Sequence, residues 1–311
     1  MDLETDQPAP PSSADSPWQV GYDHAKFGLR RDKAAPAEFL AGYHAWSGRT
    51  KRPGVFARKW LYLRLSALKR NRVLAANVTP TVLKEIWTKE CPVTLEPMEA
   101  SSGGVQSWSI DRLENSGGYA LGNIVAMSQR ANLAKADRSF EEVAAIAQEG
   151  KDQGNLTAIE WARLASLMYS AWNLAGAKGD PYVLPLATGL RRHMVHTTSQ
   201  VAQHFLLEYA RNPTNDGLGG ILSEVTKFGY GRPEPLGDMV ATLRDSLHLA
   251  DYPYDVWLYP DCFDQFLEWL ETCEPGLNKL LRTMWAKTVQ GTDANSTLLP
   301  QWHVESKGYK T

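Results

Sequence analysis

The chain has few cysteines, no long apolar run and little net charge, and each of these shortages excludes a class of protein. Its 311 residues contain three cysteines, Cys91, Cys262 and Cys273, without a CxxC pair, so structural zinc is not expected and a reducing cytoplasm suits the chain best. No apolar run approaches the ~20 residues that span a bilayer, so we expect no membrane association. The formal net charge is −2, which excludes a uniformly basic protein.

The composition and the local patterns predict an α+β protein that is mostly α. With 43% hydrophobic and 22% charged residues, the chain can support about two domains with their own cores. Residues 1–17 are rich in Pro, Ser and Asp, which is typical of a disordered tail rather than a signal peptide. We then expect a basic helical segment at 18–90, a unit of two strands and a helix at 91–150, and a helical domain at 155–311.

The most informative local pattern lies between Cys91 and Phe140. Residues 108–113 alternate apolar and polar side chains, which predicts a half-buried strand, and the glycine-rich residues 115–118 predict a turn. A second apolar run of strand length covers 123–127, and Ser128 then has the chemistry of a helix N-cap. The sequence therefore predicts a hairpin followed by a short helix that ends near Lys135.

This hairpin and helix carry a set of residues that suits phosphate chemistry. Asp111 and Arg112 lie on the first strand, Asn123 opens the second, and Asn132 and Lys135 share one helix face. A carboxylate and a carboxamide oxygen can bind one Mg²⁺ ion, which keeps several waters and takes few protein ligands. The two cations would then hold phosphate oxygens, while Asn123 could instead brace the loop through backbone hydrogen bonds.

The segment resembles the HNH, or ββα-metal, endonuclease finger in the version common in phage genomes. That version reads Ser-x-Asp-Arg-x-acid, then Gly-Tyr, Gly-Asn-hydrophobic and Asn-x-x-Lys. The matching residues are Ser109, Asp111, Arg112, Glu114, Gly118, Tyr119, Gly122, Asn123, Ile124, Asn132 and Lys135. The resemblance spans roughly 55–145. It implies a metal-dependent endonuclease that nicks DNA in a bacterial or phage-infected cytoplasm, with Mg²⁺ or Mn²⁺ on Asp111 and Asn132.

The resemblance breaks down at the general base. Most HNH enzymes carry a histidine after the strand aspartate, whereas this chain has Arg112, and none of its 7 histidines lies in the finger. Arginine is no base, since its pKa stays above about 12. Glu114, a distant histidine such as His193 or His196, or metal-bound hydroxide would have to replace it. The alternative function is a catalytically impaired protein that binds nucleic acid or a protein partner.

The segment before the finger is basic. Between positions 26 and 72, lysines and arginines oppose only Asp32 and Glu38, a distribution that favours contact with a phosphate backbone over a solvated basic face. The stretch from Val55 to Arg72 has the apolar spacing of an amphipathic helix. The candidate DNA-binding residues on it are Arg58, Lys59, Arg64, Lys69, Arg70 and Arg72.

The apolar spacing in the last half of the chain predicts helices, and this half resembles no family that we recognise. The expected helices cover 157–175, 190–211, 236–250, 258–273 and 276–289. A helix over 190–211 would place His193 and His196 on one face. The tryptophans of this half are expected in a core, or alternatively on a surface that binds a protein partner.

Overall fold

A computed structural model describes residues 16–99, 107–176, 183–191, 193–215, 217, 219–223, 234–273 and 298–310. Within these residues the protein is mainly helical and contains one two-stranded antiparallel sheet, which confirms the predicted α+β, mostly α class. None of the described helices is both long enough and apolar enough to cross a bilayer.

Three helices form the N-terminal part: α1 (Pro17–Lys26), α2 (Ala37–Ala45) and α3 (Val55–Lys69). Glycines allow α1 and α2 to approach closely, because a Cβ on Gly21 would lie 1.9 Å from the carbonyl oxygen of Phe39. Helix α3 packs against α1 through its buried Leu61, whose carbonyl oxygen lies 3.0 Å from Nε2 of His24. The predicted amphipathic helix is thus confirmed over Val55–Lys69.

The predicted hairpin and helix follow. Helix α4 (Pro80–Ile86) precedes strand β1 (Trp108–Arg112), which pairs with β2 (Ile124–Ser128) in antiparallel register, and helix α5 (Gln129–Lys135) follows directly. The N-cap predicted at Ser128 is confirmed, because its side chain accepts a hydrogen bond from the amide of Ala131.

The remaining described helices are α6 (Phe140–Gln148), α7 (Ala158–Gly176), α8 (Thr198–Arg211), α9 (Glu234–Leu247) and α10 (Pro260–Cys273), with 3₁₀ turns at Pro253–Leu258, Leu299–Trp302 and Val304–Ser306. The predicted helix over 190–211 is wrong at its start. Thr197 and Gln200 form a capping box that begins α8 at Thr198, and His193 before it has φ = +65°. The predicted helix over 276–289 lies outside the described residues.

The hydrophobic core around the hairpin continues beyond residue 155. It includes Trp108 and Met127 from the strands, Trp161 and Leu164 from α7, and Trp302 near the C-terminal end. A second cluster joins α8, α9 and α10 around the fully buried side chains of Trp257 and Trp269. The described tryptophans of residues 155–311 therefore lie in cores, which is one of the two roles expected from the sequence.

The C-terminal segment also holds the turn of the hairpin through hydrogen bonds. The amide of Gly118 donates to the carbonyl oxygen of Trp302 at 2.7 Å, and the indole of Trp302 donates to that of Leu121 at 2.8 Å. Gly122 has φ = +84°, and a Cβ there would lie 3.0 Å from the Trp302 ring. A glycine is therefore required where these two segments meet.

Candidate functional site

Asp111 and Lys135 meet between β1 and α5. Oδ2 of Asp111 lies 3.2 Å from Nζ of Lys135, while the side chain of Lys135 is 0% exposed and that of Asp111 is 14% exposed. At this distance the two side chains form an ion pair. The ammonium also donates to Oδ1 of Asn115 at 3.0 Å. The buried cation thus has two oxygen partners inside the hairpin and helix.

The structure places Arg112 in the turn of the hairpin. Successive side chains of a strand point to opposite faces, so Arg112 points away from the side of β1 that carries Asp111. Its Nη1 donates to the carbonyl oxygens of Asn115 and Gly117, each at 2.8 Å, and its guanidinium lies 5.4 Å from the ring centre of Tyr119. This buried guanidinium stabilises the turn and is not directed at solvent, where the predicted phosphate would lie.

Asn123 connects the second strand to the same turn. Its Oδ1 accepts from the amide of Glu114 at 2.7 Å, and its Nδ2 donates to the carbonyl oxygens of Glu114 and Gly118. Asn123 is fully buried, which confirms the prediction that it braces the loop. The Glu114 carboxylate accepts from the amide of Ser116 at 2.8 Å, so this candidate base also has a partner within the turn.

The two histidines considered as a distant base lie in the loop before α8 and share no helix face. Nε2 of His193 pairs with the Glu85 carboxylate at 2.7 Å. Nε2 of His196 lies 3.1 Å from the carbonyl oxygen of Arg191. Burial lowers the pKa of His196 to about 4, which keeps its imidazole neutral at pH 7.

In this arrangement a divalent cation at Asp111 would compete with the ammonium of Lys135. Mg²⁺ binds carboxylate and other oxygen ligands and usually keeps several waters, whereas the ammonium of Lys135 already lies 3.2 Å from Oδ2 of Asp111. Asn132 lies one turn earlier on α5 and is half-buried. Across the described ranges, no group of three or more His, Cys, Asp or Glu side chains is arranged to hold a metal ion.

Some cations of the basic segment are used by the fold itself. Arg64 is 3% exposed, and its Nη1 donates to Oδ2 of Asp23 at 2.6 Å. Lys59 donates to the carbonyl oxygen of Trp108 and lies 4.8 Å from the centre of the indole ring. The contact of Arg64 attaches α3 to α1, and the contacts of Lys59 attach α3 to β1. Lys59 and Arg64 therefore stabilise the packing of α3 against its neighbours.

The other candidate cations of α3 and its end lie nearer to solvent. Arg58, Lys69 and Arg70 are exposed, whereas Arg72 is half-buried. The guanidinium of Arg72 lies 3.7 Å from the ring centre of Tyr309. The predicted nucleic-acid surface on α3 is therefore reduced to Arg58, Lys69 and Arg70.

The structure adds a groove that sequence reasoning did not assign, between the end of α1 and the start of α3. Its volume is about 490 Å³. The side chains that give it its chemistry are Phe27, Arg30, Lys51, Arg52, Arg58 and Tyr62, and no acidic side chain among the described residues lines it. In the sequence these cations appear only as part of a long basic segment, because the groove brings together two loops and a helix. We refer to it below as the basic groove.

No family model, no curated protein and no solved structure matches this chain.

Proposed function

We propose that the protein binds nucleic acid through the basic segment of residues 26–72. The observation that carries this proposal is the concentration of exposed cations on a chain whose net charge is −2. The exposed lysines and arginines of the segment are Arg30, Arg31, Lys33, Arg49, Lys51, Arg52, Arg58, Lys69 and Arg70. Of its two acids, Asp32 pairs with Lys69 at 2.7 Å.

A local excess of positive charge is what a phosphate backbone recognises. Charges separated by more than ~8 Å are largely screened at physiological ionic strength, so acidic residues elsewhere in the chain weaken this surface little. Cations that neutralise phosphates release condensed counterions from the nucleic acid, and this release supplies most of the sequence-independent affinity. The segment therefore supports binding of nucleic acid without requiring a base-specific motif.

In this proposal the hairpin and α5 support the basic segment. The ammonium of Lys59 on α3 binds the carbonyl oxygen of Trp108 on β1 and lies over its indole ring. Asp111, the candidate metal ligand, already has a cationic partner in Lys135. These contacts favour a binding role over metal-dependent cleavage.

Metal-dependent nicking of DNA, with Mg²⁺ or Mn²⁺, is the second candidate function. It is supported by the order β1, β2, α5, with Asp111 on β1 and Asn132 on α5, and by the 14% exposure of the Asp111 side chain. In this function Mg²⁺ or Mn²⁺ would compete with the ammonium of Lys135 for the carboxylate of Asp111. Two other predictions from the sequence also stay predictions. They are that residues 155–311 bind a protein partner and that the protein is cytoplasmic.

The two candidates are separated by a gel shift run beside a cleavage assay. Supercoiled plasmid is incubated with the protein and Mg²⁺ or Mn²⁺, and a labelled oligonucleotide is titrated in parallel. We expect a shift, an intact plasmid, and a weaker shift for Arg49→Gln/Arg70→Gln than for the charge-matched control Lys89→Gln/Lys151→Gln, whose lysines are exposed outside the basic segment. Equal shifts for the two variants would contradict the surface.

Metal-dependent nicking that Asp111→Ala abolishes would instead establish the second candidate. A chain that neither shifts the oligonucleotide nor nicks the plasmid would overturn both proposals.

A further inference from the structure

We propose that the basic groove binds an unpaired nucleotide of a single-stranded nucleic acid. This substrate class rests on the nucleic-acid binding proposed above and makes it more specific. It is carried by three properties of the groove: its volume, the charge of its lining and its aromatic side chains.

The volume suits one nucleotide. Sites for small molecules are concave and occupy roughly 300–1,000 Å³, and the basic groove measures about 490 Å³. A duplex keeps its bases stacked inside and offers mainly phosphates to a surface, whereas a single strand can place an unstacked base in a recess. A recess of this size therefore favours a single strand over a duplex.

The charge of the lining suits the phosphates on either side of that nucleotide. Arg30 comes from the loop after α1, Lys51 and Arg52 come from the loop before α3, and Arg58 lies in the first turns of α3. All four side chains are exposed. Helix α3 begins at Val55 without a side-chain cap, and a helix N-terminus adds further positive potential near the groove.

Aromatic side chains provide surfaces on which a base can stack. Tyr62 is 47% exposed, and its ring lies 6.0 Å from that of His24 in an edge-to-face arrangement that holds it in place. Phe27 lines the same groove. Sites for single strands combine cations along the backbone with aromatic side chains under the bases, and the basic groove has both.

The groove is also preorganised. The amide of Lys51 donates to the carbonyl oxygen of Lys26 at 2.9 Å, which ties the loop before α3 to the end of α1. Gly28 turns the chain with φ = +65°, and its amide bonds to the carbonyl oxygen of Ala25. Little ordering of the loops is then needed on binding, which favours affinity.

The test measures the fluorescence anisotropy of a labelled 12-nucleotide oligo-dT, the same length of oligo-U, and a duplex of equal length. Tyr62→Ala removes the stacking surface, and Tyr62→Phe restores it. The matched control is Tyr309→Ala, because Tyr309 is also an exposed tyrosine beside an arginine but lies outside the groove. Thermal melting shows that each variant is folded.

We expect Tyr62→Ala to weaken single-strand binding roughly 5- to 150-fold, the effect of removing one stacked base. Tyr62→Phe should bind like the wild type, and duplex binding should change less than twofold. Comparing the affinities for oligo-dT and oligo-U decides whether the bound strand is DNA or RNA. Equal losses on the single strand and the duplex, or no loss on either, would overturn the groove as a nucleotide site.

The failure of this inference is distinguishable from the failure of the proposed function. A wild-type protein that binds the duplex but shows no effect of Tyr62 retains the proposed function and loses the nucleotide site. A wild-type protein that binds neither form of nucleic acid loses both.

Discussion

Replacing Asp111 with alanine should lower the free energy of unfolding substantially, because it leaves the ammonium of Lys135 buried without its charged partner. The Lys135 side chain is 0% exposed, and after the substitution Oδ1 of Asn115, at 3.0 Å, is the oxygen partner that remains among the described residues. Removing one member of a buried ion pair costs about 3–5 kcal/mol. We expect Asp111→Ala to lower the free energy of unfolding by that amount.

Replacing Lys135 instead of Asp111 should cost less stability, and replacing both residues should cost the least. Lys135→Met fills the same space with an apolar chain, and the carboxylate of Asp111 is 14% exposed, so it can reach water. Replacing both members of a buried pair by apolar groups is often close to neutral. Asp111→Ala/Lys135→Met should therefore lie within about 2 kcal/mol of the wild type, with a coupling energy of about 2–3 kcal/mol.

Urea unfolding followed by tryptophan fluorescence measures these differences. Trp108 and Trp161 are buried in the core that contains the hairpin, so their emission reports its unfolding, and the midpoints are compared at constant m-value. The explanation is refuted if Asp111→Ala costs less than about 1 kcal/mol and shows no coupling to Lys135.

The same variants address the metal. A ligand that binds only the folded state raises its stability by mass action. With Lys135 beside Asp111, we expect the wild-type Tm to be the same in Mg²⁺ and in EDTA. A rise in Tm with Mg²⁺ that Asp111→Ala removes would show that the carboxylate binds metal.

Two further predictions concern His196, which is half-buried, and Asn123, which is fully buried. Burial lowers the pKa of His196 to about 4, below the ~6.5 of an unfolded histidine, so the unfolded chain binds more protons between these values. The contribution of the neutral His196 to the free energy of unfolding should be fully present above about pH 6.5. It should fall by up to about 3 kcal/mol toward pH 4. Urea midpoints for His196→Gln should depend less on pH than those for the exposed-site control His44→Gln, and parallel profiles would contradict this. Asn123→Ala should cost at least about 2 kcal/mol in urea unfolding, because the amide of Glu114 and the carbonyl oxygen of Gly118 lose their hydrogen bonds to the buried side chain, whereas a cost below about 1 kcal/mol would mean that water replaces the brace.

Local hydrogen-bond chemistry made part of the fold predictable. Ser128 caps α5 where the sequence predicts it, because the cap depends on residues at most three positions away. The alternation over 108–113 predicted β1 for a similar reason. Loop bracing by Asn123 was also predictable, since asparagine side chains bond readily to nearby backbone.

Contacts between distant segments were not predictable in this way. The spacing of Asn132 and Lys135 places them on one helix face, but it does not reveal that Lys135 is fully buried beside Asp111. Likewise, the excess of cations between 26 and 72 does not show that Arg64 pairs inside the protein with Asp23. The basic groove depends on the packing of α1 against α3, which no local pattern encodes.

The salt dependence of single-strand binding tests the central claim most directly. Each phosphate neutralised on a single strand contributes about −0.7 to the slope of log K against log salt concentration. The four cations that line the basic groove should therefore contribute about −3 to the slope of the wild type. Arg30→Gln/Arg58→Gln should make that slope less steep by about 1.4. A wild-type slope near zero, or a slope that the double substitution leaves unchanged, would contradict nucleic-acid binding through this surface.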